Sequence, residues 1–248
     1  MENSELLKRA RDLAERCERS GTVCVSGFLS PAERYNIENW AKRRAGCNLV
    51  FSGGHPDCER TVAFFLPYYM DREDFSPEET IRAIELKAHF GAPGHRDYMG
   101  ALLGMGIGRE WLGDIQVEGD TAYVFCMKSV LRHLLSIEKA GRYTVKASQI
   151  ALEEVPARKV ETESLSFSVM SPRLDAVAAG LFHLSRTEAA KQIAAGNVSL
   201  NYGQCLKADC IVKEGDILSL KGKGKGSISG MGGTSRKGRL FVYGEIYK

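Results

Sequence analysis

The chain has 248 residues, with 34 Lys and Arg against 31 Asp and Glu, a formal net charge of +3. At 44% hydrophobic and 26% charged it has an ordinary globular composition, long enough for one to three domains. No apolar run reaches the ~18 residues a membrane helix needs, and MENSELLKRARDLAERCERS is too charged for a signal peptide. The expectation is a cytoplasmic protein with no membrane partner. Seven cysteines stand at 17, 24, 47, 58, 126, 205 and 210, an odd count with no CxxC spacing. Neither a disulfide framework nor a zinc site is expected, and Cys205 and Cys210 read as reduced thiols.

Charge is placed unevenly. Residues 171–248 carry 12 Lys or Arg against 6 Asp or Glu, whereas residues 1–170 carry 22 against 25. That asymmetry points to a basic, anion-binding C-terminal module on a near-neutral body. A solvated basic surface with no partner gives the same asymmetry.

Leu6, Leu7, Ala10, Leu13, Ala14 and Cys17 recur at helical spacing, so 1–19 is expected as an amphipathic helix ending at Ser20-Gly21. Val23 to Phe28 reads as a strand. Ser30-Pro31-Ala32-Glu33 is a helix start, with Ser as cap, Pro at the first position and Glu three after the cap. That helix turns Ile37, Trp40 and Ala41 inward and stops near Gly46. Strands follow at 48–51 and 61–66, closing a small α/β unit over 1–70.

A polar connector, 71–80, leads to an ambiguous segment. Ser76-Pro77-Glu78-Glu79 could cap a helix, yet Ile84, Leu86 and Ala88 alternate with Glu85 and Lys87, which favours a strand over 81–88. A helix at 95–105, a strand at 114–117, a turn at Gly119-Asp120 and a strand at 121–127 come next. A helix at 129–140 closed by Gly141, then a strand at 144–150, complete the set. The order β-α-β-β-α-β is that of a ferredoxin-like (RRM-like) plait over 75–155. It carries no RNP-type run of aromatic and basic residues, so the sequence does not show RNA binding by its sheet. Residues 151–170, with Val160, Thr162, Ser164, Phe167 and Val169 alternating, read as an extended connector or strand.

From Ser171 the caps become informative. Ser171 is expected to cap a helix with Pro172 at its first position and Arg173 in its first turn, where backbone N–H groups favour an anion. Leu174, Val177, Ala178 and Leu181 form its buried stripe. Ser185 is expected to cap a second helix, with Glu188 completing a capping box, Arg186 in the first turn, and Thr187 and Lys191 one turn apart on one face. Ala189, Ile193 and Ala194 face inward and Gly196 ends the helix. Val198-Ser199-Leu200 alternates toward a turn at Asn201-Tyr202-Gly203, and a second turn at Glu214-Gly215-Asp216 precedes a strand at 217–221. The runs Lys221–Gly226 and Gly230–Gly238 read as mobile loops before a final strand around Leu240–Tyr243.

Arg173-Leu174-Asp175, Ser185-Arg186, Gly196-x-Val198, Asn201 and Gly215-Asp216, in this order and spacing, resemble the S4-type RNA-binding domain over roughly 171–225. Leu200 stands where that family often has Val, a conservative change. Upstream, His95-Arg96-Asp97-x-x-Gly100-x-Leu102, Gly106-Ile107-x-Arg109 and Gly113-Asp114-Ile115 resemble the middle region of YlmH-type proteins, three-part bacterial proteins with the S4-type domain last. The expected class is therefore α+β: an N-terminal α/β unit (1–70), a ferredoxin-like plait (75–155) and an S4-type αL RNA-binding domain (170–248).

The resemblance implies a non-enzymatic factor without cofactors. It would bind ribosomal RNA and tRNA on the large ribosomal subunit carrying a stalled peptidyl-tRNA, in ribosome-associated quality control, and act as a monomer. The family also has an older association with cell division. The RNA-binding set is then Arg173, Ser185, Arg186, Thr187, Lys191, Asn201, Lys207, Lys221 and Lys223, with Lys225 able to widen the patch and Asp175 structural. Contact with three to five phosphates would give a log–log salt slope of roughly −2 to −4. Pairing of Arg173 with Asp175, or of Arg186 with Glu188, is the competing reading.

Two other functional classes remain. One is an RNA-modifying enzyme such as a pseudouridine synthase, against which stands the lack of a large catalytic domain. The other is a protein adaptor in cell division, with the basic face a bystander. His95-Arg96-Asp97 is no kinase loop, because Leu102 stands where that loop needs Asn. Gly104–Gly108 lacks the third glycine of a dinucleotide fingerprint and reads as a helix end. His55, His89, His95, His133 and His183 have no pair at metal-ligand spacing.

Overall fold

The structure, a computed structural model, describes residues 2–44, 46–158, 161–235 and 238–247. Val160, Arg236 and Lys237 lie outside that set. The described residues are of mixed α and β type and form three antiparallel sheets, and the chain divides into two compact units, Met1–Arg158 and Lys159–Lys248. Among the described residues no helix is long and apolar enough to cross a membrane.

The first unit opens with helix α1 (Glu2–Ser20), strand β1 (Cys24–Leu29) and helix α2 (Pro31–Ala41). The expected capping box forms: Ser30 Oγ accepts from the Glu33 amide, and the Ser30 amide donates to Glu33 Oε2 at 2.7 Å. The helix ends several residues before Gly46, with Lys42 as its C-cap. β2 (Leu49–Ser52) and β3 (Thr61–Phe65) complete a three-stranded sheet of order β1-β3-β2. Ala10, Ala14, Cys17 and Ile37 from the helices meet Leu49 and Phe65 of that sheet.

A 3₁₀ turn at Pro77–Glu79, capped by Ser76, leads into β4 (Ile81–Ala88). The capping signal and the strand signal are therefore both real and simply consecutive. Helix α3 (His95–Gly104), β5 (Leu112–Glu118) and β6 (Thr121–Met127) follow. The expected helix over 129–140 is instead a 3₁₀ turn running into the single-turn α4 (Leu131–Leu134), then β7 (Lys139–Ala140). Gly141, at φ +59°, does not close a helix; it turns the chain from β7 into β8 (Tyr143–Ile150). The apolar spacing misleads because Leu134, Ile137 and Ala140 are all buried, although by three different backbone states.

This sheet has the order β5-β6-β4-β8-β7, with every neighbour antiparallel. Alternation assigns its two faces. Ile84, Leu86, Ala122, Val124 and Val145 pack with Tyr98 and Leu102 of α3. On the opposite face, Ile81, Ala83, Phe125 and Met127 pack with Phe28, Val62, Phe64 and Leu66 of the first sheet's segment.

The second unit begins with β9 (Thr162–Val169), an edge strand paired along its full length with β14 (Leu240–Tyr247). Helices α5 (Leu174–Leu181) and α6 (Arg186–Ala194) precede β10 (Val198–Leu200), β11 (Gly203–Gln204), β12 (Ile217–Leu220) and β13 (Gly224–Thr234). The sheet order is β11-β10-β12-β13-β14-β9. Leu174, Val177, Ala178, Leu181, Ala189 and Ile193 pack against Leu218, Ile228 and Val242; Ala194, expected inward, is exposed.

The glycine-rich stretch is the largest departure from expectation. Lys221–Lys223 makes a tight turn, and Gly224–Thr234 is strand β13 rather than a mobile loop. Packing explains it. A Cβ on Gly226 would stand 3.1 Å from Leu181 Cδ2 and 2.8 Å from the Glu245 carbonyl oxygen, and one on Gly244 would stand 2.9 Å from Leu181 Cδ1. These glycines let α5 seat Leu181 directly on the sheet backbone.

Candidate nucleic-acid interface

The segments that carry the sequence motif meet in pairs. Asp175, buried in the first turn of α5, receives two arginines. Arg173 donates from Nε to Oδ1 at 3.3 Å and from Nη2 to Oδ2 at 3.4 Å. Arg186 donates from Nε to Oδ2 at 3.1 Å and from Nη2 to Oδ1 at 3.3 Å. One carboxylate thus orients two guanidinium forks, and the cluster keeps a net positive charge. The arginine side chains remain 38% and 56% exposed, against 8% for the aspartate, so they can still meet an external anion. Burial works against the Asp175 charge, but the hydrogen bonds and charges of Arg186 and Arg173 outweigh it and hold the carboxyl below its ordinary range.

The first helix start differs from expectation. Ser171 is not the cap; Arg173 occupies the N-cap position, with φ −75° and ψ 146°. The Leu174 amide donates to the Cys210 carbonyl at 2.8 Å and the Asp175 amide to the Ala208 carbonyl at 3.0 Å, while the Val212 amide reaches Pro172 O at 2.8 Å. The α5 N–H groups expected to receive a phosphate are therefore spent on the 205–212 loop. Charge for an anion must come from the side chains. In the same loop the thiols of Cys205 and Cys210 are hydrogen-bonded at 3.1 Å.

The second helix start is as expected at its cap: Ser185 Oγ accepts from the Glu188 amide at 3.1 Å. The Glu188 carboxylate, expected to complete the box or to pair with Arg186, accepts from Gln192 Nε2 at 2.8 Å. Arg186 opens α6, Thr187 is exposed beside it, and Lys191 lies exposed one turn on. Lys207 is exposed next to Ala208, the residue whose carbonyl holds the Asp175 amide. Lys221 and Lys223 are exposed in the β12–β13 turn, where the Lys221 amide bonds Asn197 O just beyond the C-terminal end of α6. Nine residues of α6 span about 13 Å at 1.5 Å per residue, so the Arg186 end of the helix is about that far from the end met by the Lys221 turn. Lys225 is set apart, its ammonium 4.8 Å from the centre of the Tyr247 ring.

Asn201, expected in the RNA-binding set, makes hydrogen bonds within the fold. Its Nδ2 donates to Asp216 Oδ1 at 2.7 Å, its Oδ1 accepts from the Ile217 amide at 2.9 Å, and its own amide donates to Ile217 O at 2.8 Å. Asp216 Oδ2 also accepts from the Lys213 amide at 2.7 Å. The Asn and Gly-Asp pieces of the motif form one bracket that fixes the β10–β11 turn, where Asn201 and Tyr202 hold φ of +49° and +65°. Asn201→Ala is expected to cost about 2 kcal/mol, because it takes the partner from Asp216 Oδ1 and from the Ile217 amide and puts Ala at positive φ. Chemical denaturation monitored through amide exchange of β10–β12 would measure it.

In the first unit, the helix-free sheet face beyond the part packed on Phe28, Phe64 and Leu66 presents Glu85, Lys87, Glu118 and Lys146, with half-buried Tyr123 packed at the margin of that core. That mixture has no charge excess and a single aromatic ring, so it offers no stacking platform of the RRM kind. Among the described residues no group of three His, Cys, Asp or Glu side chains could hold a metal ion.

Two family models match the chain: "YlmH, N-terminal" over residues 2–65 and "Putative RNA-binding domain in YlmH" over residues 71–154. The Ribosome-associated protein quality control protein P2 of Bacillus subtilis (strain 168) is 30% identical over 226 residues, which is 90% of this chain and 87% of that protein. The chain belongs to the YlmH family. A solved YlmH-family structure, the cell division protein ylmH from Streptococcus pneumoniae, matches with a TM-score of 0.52 at 22% identity, covering 62% of this chain and 94% of that one. At that identity it speaks to the YlmH fold alone.

Sequence reasoning finds the arginines and lysines of the C-terminal unit but misses what joins them. It also uses His95, Arg109 and Asp114 only as YlmH markers. All three line one cavity of the first unit, together with Arg60, for which no local signal exists.

Proposed function

We propose that this protein is a non-catalytic, cytoplasmic RNA-binding factor that acts on the ribosome. In this reading residues 170–248 are an S4-type module that grips structured ribosomal RNA, with tRNA as a second contact, on the large subunit carrying a stalled peptidyl-tRNA. Residues 1–70 and 75–155 are an α/β module and a ferredoxin-like plait. The plait reading is supported by the order β5-β6-β4-β8 with all neighbours antiparallel, the arrangement expected of β-α-β-β-α-β. The ribosomal setting is carried over from the name of the Bacillus relative.

The observation that carries the proposal is the pair of half-exposed guanidinium forks held by one buried carboxylate, flanked by exposed Lys191 and Lys207. Oriented guanidinium forks suit phosphate oxygens, and backbone contacts favour shape over sequence. Crosslinking in cells followed by sequencing of the bound RNA tests it. Enrichment of large-subunit ribosomal RNA and tRNA is expected; messenger RNA alone, or no RNA, would contradict the reading.

A further inference from the structure

In the first unit a polar cavity of about 270 Å³ is bounded by the 55–60 loop, the start of α3 and the β5 strand. Three arginines line it, Arg60, Arg109 and Arg158; Arg158 pairs with Glu59 at 3.8 Å, and the other two are held very differently. Arg60 is spent on main-chain carbonyls: Nε donates to Leu112 O at 3.1 Å, and Nη2 to Phe28 O at 2.9 Å and Arg109 O at 3.1 Å. Asp114 is equally committed, accepting from the Glu59 amide at 2.7 Å and the Arg60 amide at 3.0 Å. These two residues stitch the loop to β5, and their charges offset each other.

Arg109 has no such employment. Its guanidinium donates from Nη1 to the Met99 thioether at 3.1 Å, a weak acceptor, and makes no ion pair among the described residues. Burial, and then the neighbouring Arg60 charge, lower its affinity for the proton, with Asp114 opposing them more weakly. The remaining acids of the wall have partners of their own. Asp57 accepts from the Arg158 amide at 3.1 Å and stands 3.6 Å from the His55 ring, and Glu59 lies 3.8 Å from the Arg158 guanidinium. His95, the first residue of α3, completes the lining near Arg109.

We infer that this cavity is an oxyanion site that takes a single phosphate group, with Arg109 as its principal donor and His95 at its wall. A guanidinium fork matches two phosphate oxygens, and an anion would relieve the Arg60–Arg109 repulsion. The volume lies just below the ~300–1,000 Å³ of drug-sized pockets, which suits one phosphoryl group or a mononucleotide rather than a larger ligand. The phosphate can come from an RNA chain or from a free nucleotide. The site is separate from the C-terminal grip and stands or falls independently of it.

Calorimetric titration of the full chain with inorganic phosphate, adenosine 5′-monophosphate, adenosine, and a short RNA with and without a 5′-phosphate tests the proposal. One saturable phosphate per chain is expected, with adenosine silent. Arg109→Gln should weaken phosphate binding at least tenfold, Arg109→Lys less, while a Lys191→Gln, Lys207→Gln variant keeps it. If RNA is the source, the phosphorylated oligonucleotide binds more tightly than inorganic phosphate and is the form that Arg109→Gln penalises; a free nucleotide source reverses that order. Phosphate must also raise the thermal midpoint of the wild-type protein, a reading that needs no variant. No saturable binding and no midpoint shift with wild type, binding unchanged in folded Arg109→Gln, or binding lost in the C-terminal lysine variant would each overturn the assignment.

Discussion

Replacing Lys191, Lys207, Lys221 and Lys223 together by glutamine is expected to weaken binding of structured RNA about 10³-fold near 0.1 M salt. Each cation that neutralises a phosphate releases bound counterion, and the log–log salt slope falls by about 0.7 to 0.9 for every phosphate left without its lysine. Removing four such cations should therefore flatten the slope by roughly 3. All four side chains are exposed and none belongs to the buried core, so stability should stay within about 0.5 kcal/mol of wild type. Fluorescence anisotropy with a labelled ribosomal RNA fragment across a salt series reads both the affinity and the slope. A variant with the wild-type slope would mean that the phosphates are met elsewhere.

The arginines need a different experiment, because removing them damages the fold. Arg173→Ala with Arg186→Ala leaves Asp175 buried without a cation, at a cost of about 3 kcal/mol, whereas either single change leaves one fork in place and costs about half as much. Loss of RNA binding by the double variant would therefore not by itself locate an RNA contact. Arg to Lys at each position is the cleaner probe, since it keeps charge and removes the two-pronged geometry. The same cluster sets a pH dependence. The folded-state pKa of Asp175 is depressed, so its stabilising contribution is present above the unfolded carboxyl value of about 3.9 and is lost as pH falls through the lower folded value. Asp175→Asn should thus be less stable than wild type at pH 7, with the difference shrinking in acid. Hydrogen–deuterium exchange of residues 172–195 isolates this unit from the other.

Much of the fold is legible wherever the signal is local. The capping box at Ser30 and Glu33, the strand alternation of 81–88 and the Ser185 cap each depend on residues within a few positions of one another. What is not legible depends on distant partners. The start of α5 falls elsewhere than its sequence suggests because its N–H groups are capped by carbonyls of Ala208 and Cys210, more than thirty residues downstream. The glycine run reads as a loop because composition does not distinguish glycines that flex from glycines that admit a Leu181 side chain. The same limit applies at the interface. Arg173, Asp175 and Arg186, and likewise Asn201 and Asp216, can be named from the motif, but that the first three share one carboxylate and the last two form one bracket is a statement about pairing. Pairing is also why the Arg60–Arg109 cavity is invisible in the sequence, since its walls come from segments about fifty residues apart.

Cosedimentation of the full chain with purified large ribosomal subunits, at low salt, tests the central claim most directly. Wild type should pellet with the subunits and be released as salt rises, while the four-lysine variant should remain in the supernatant. Wild-type protein left free of subunits at low salt, or a four-lysine variant that pellets as well as wild type, would contradict the account.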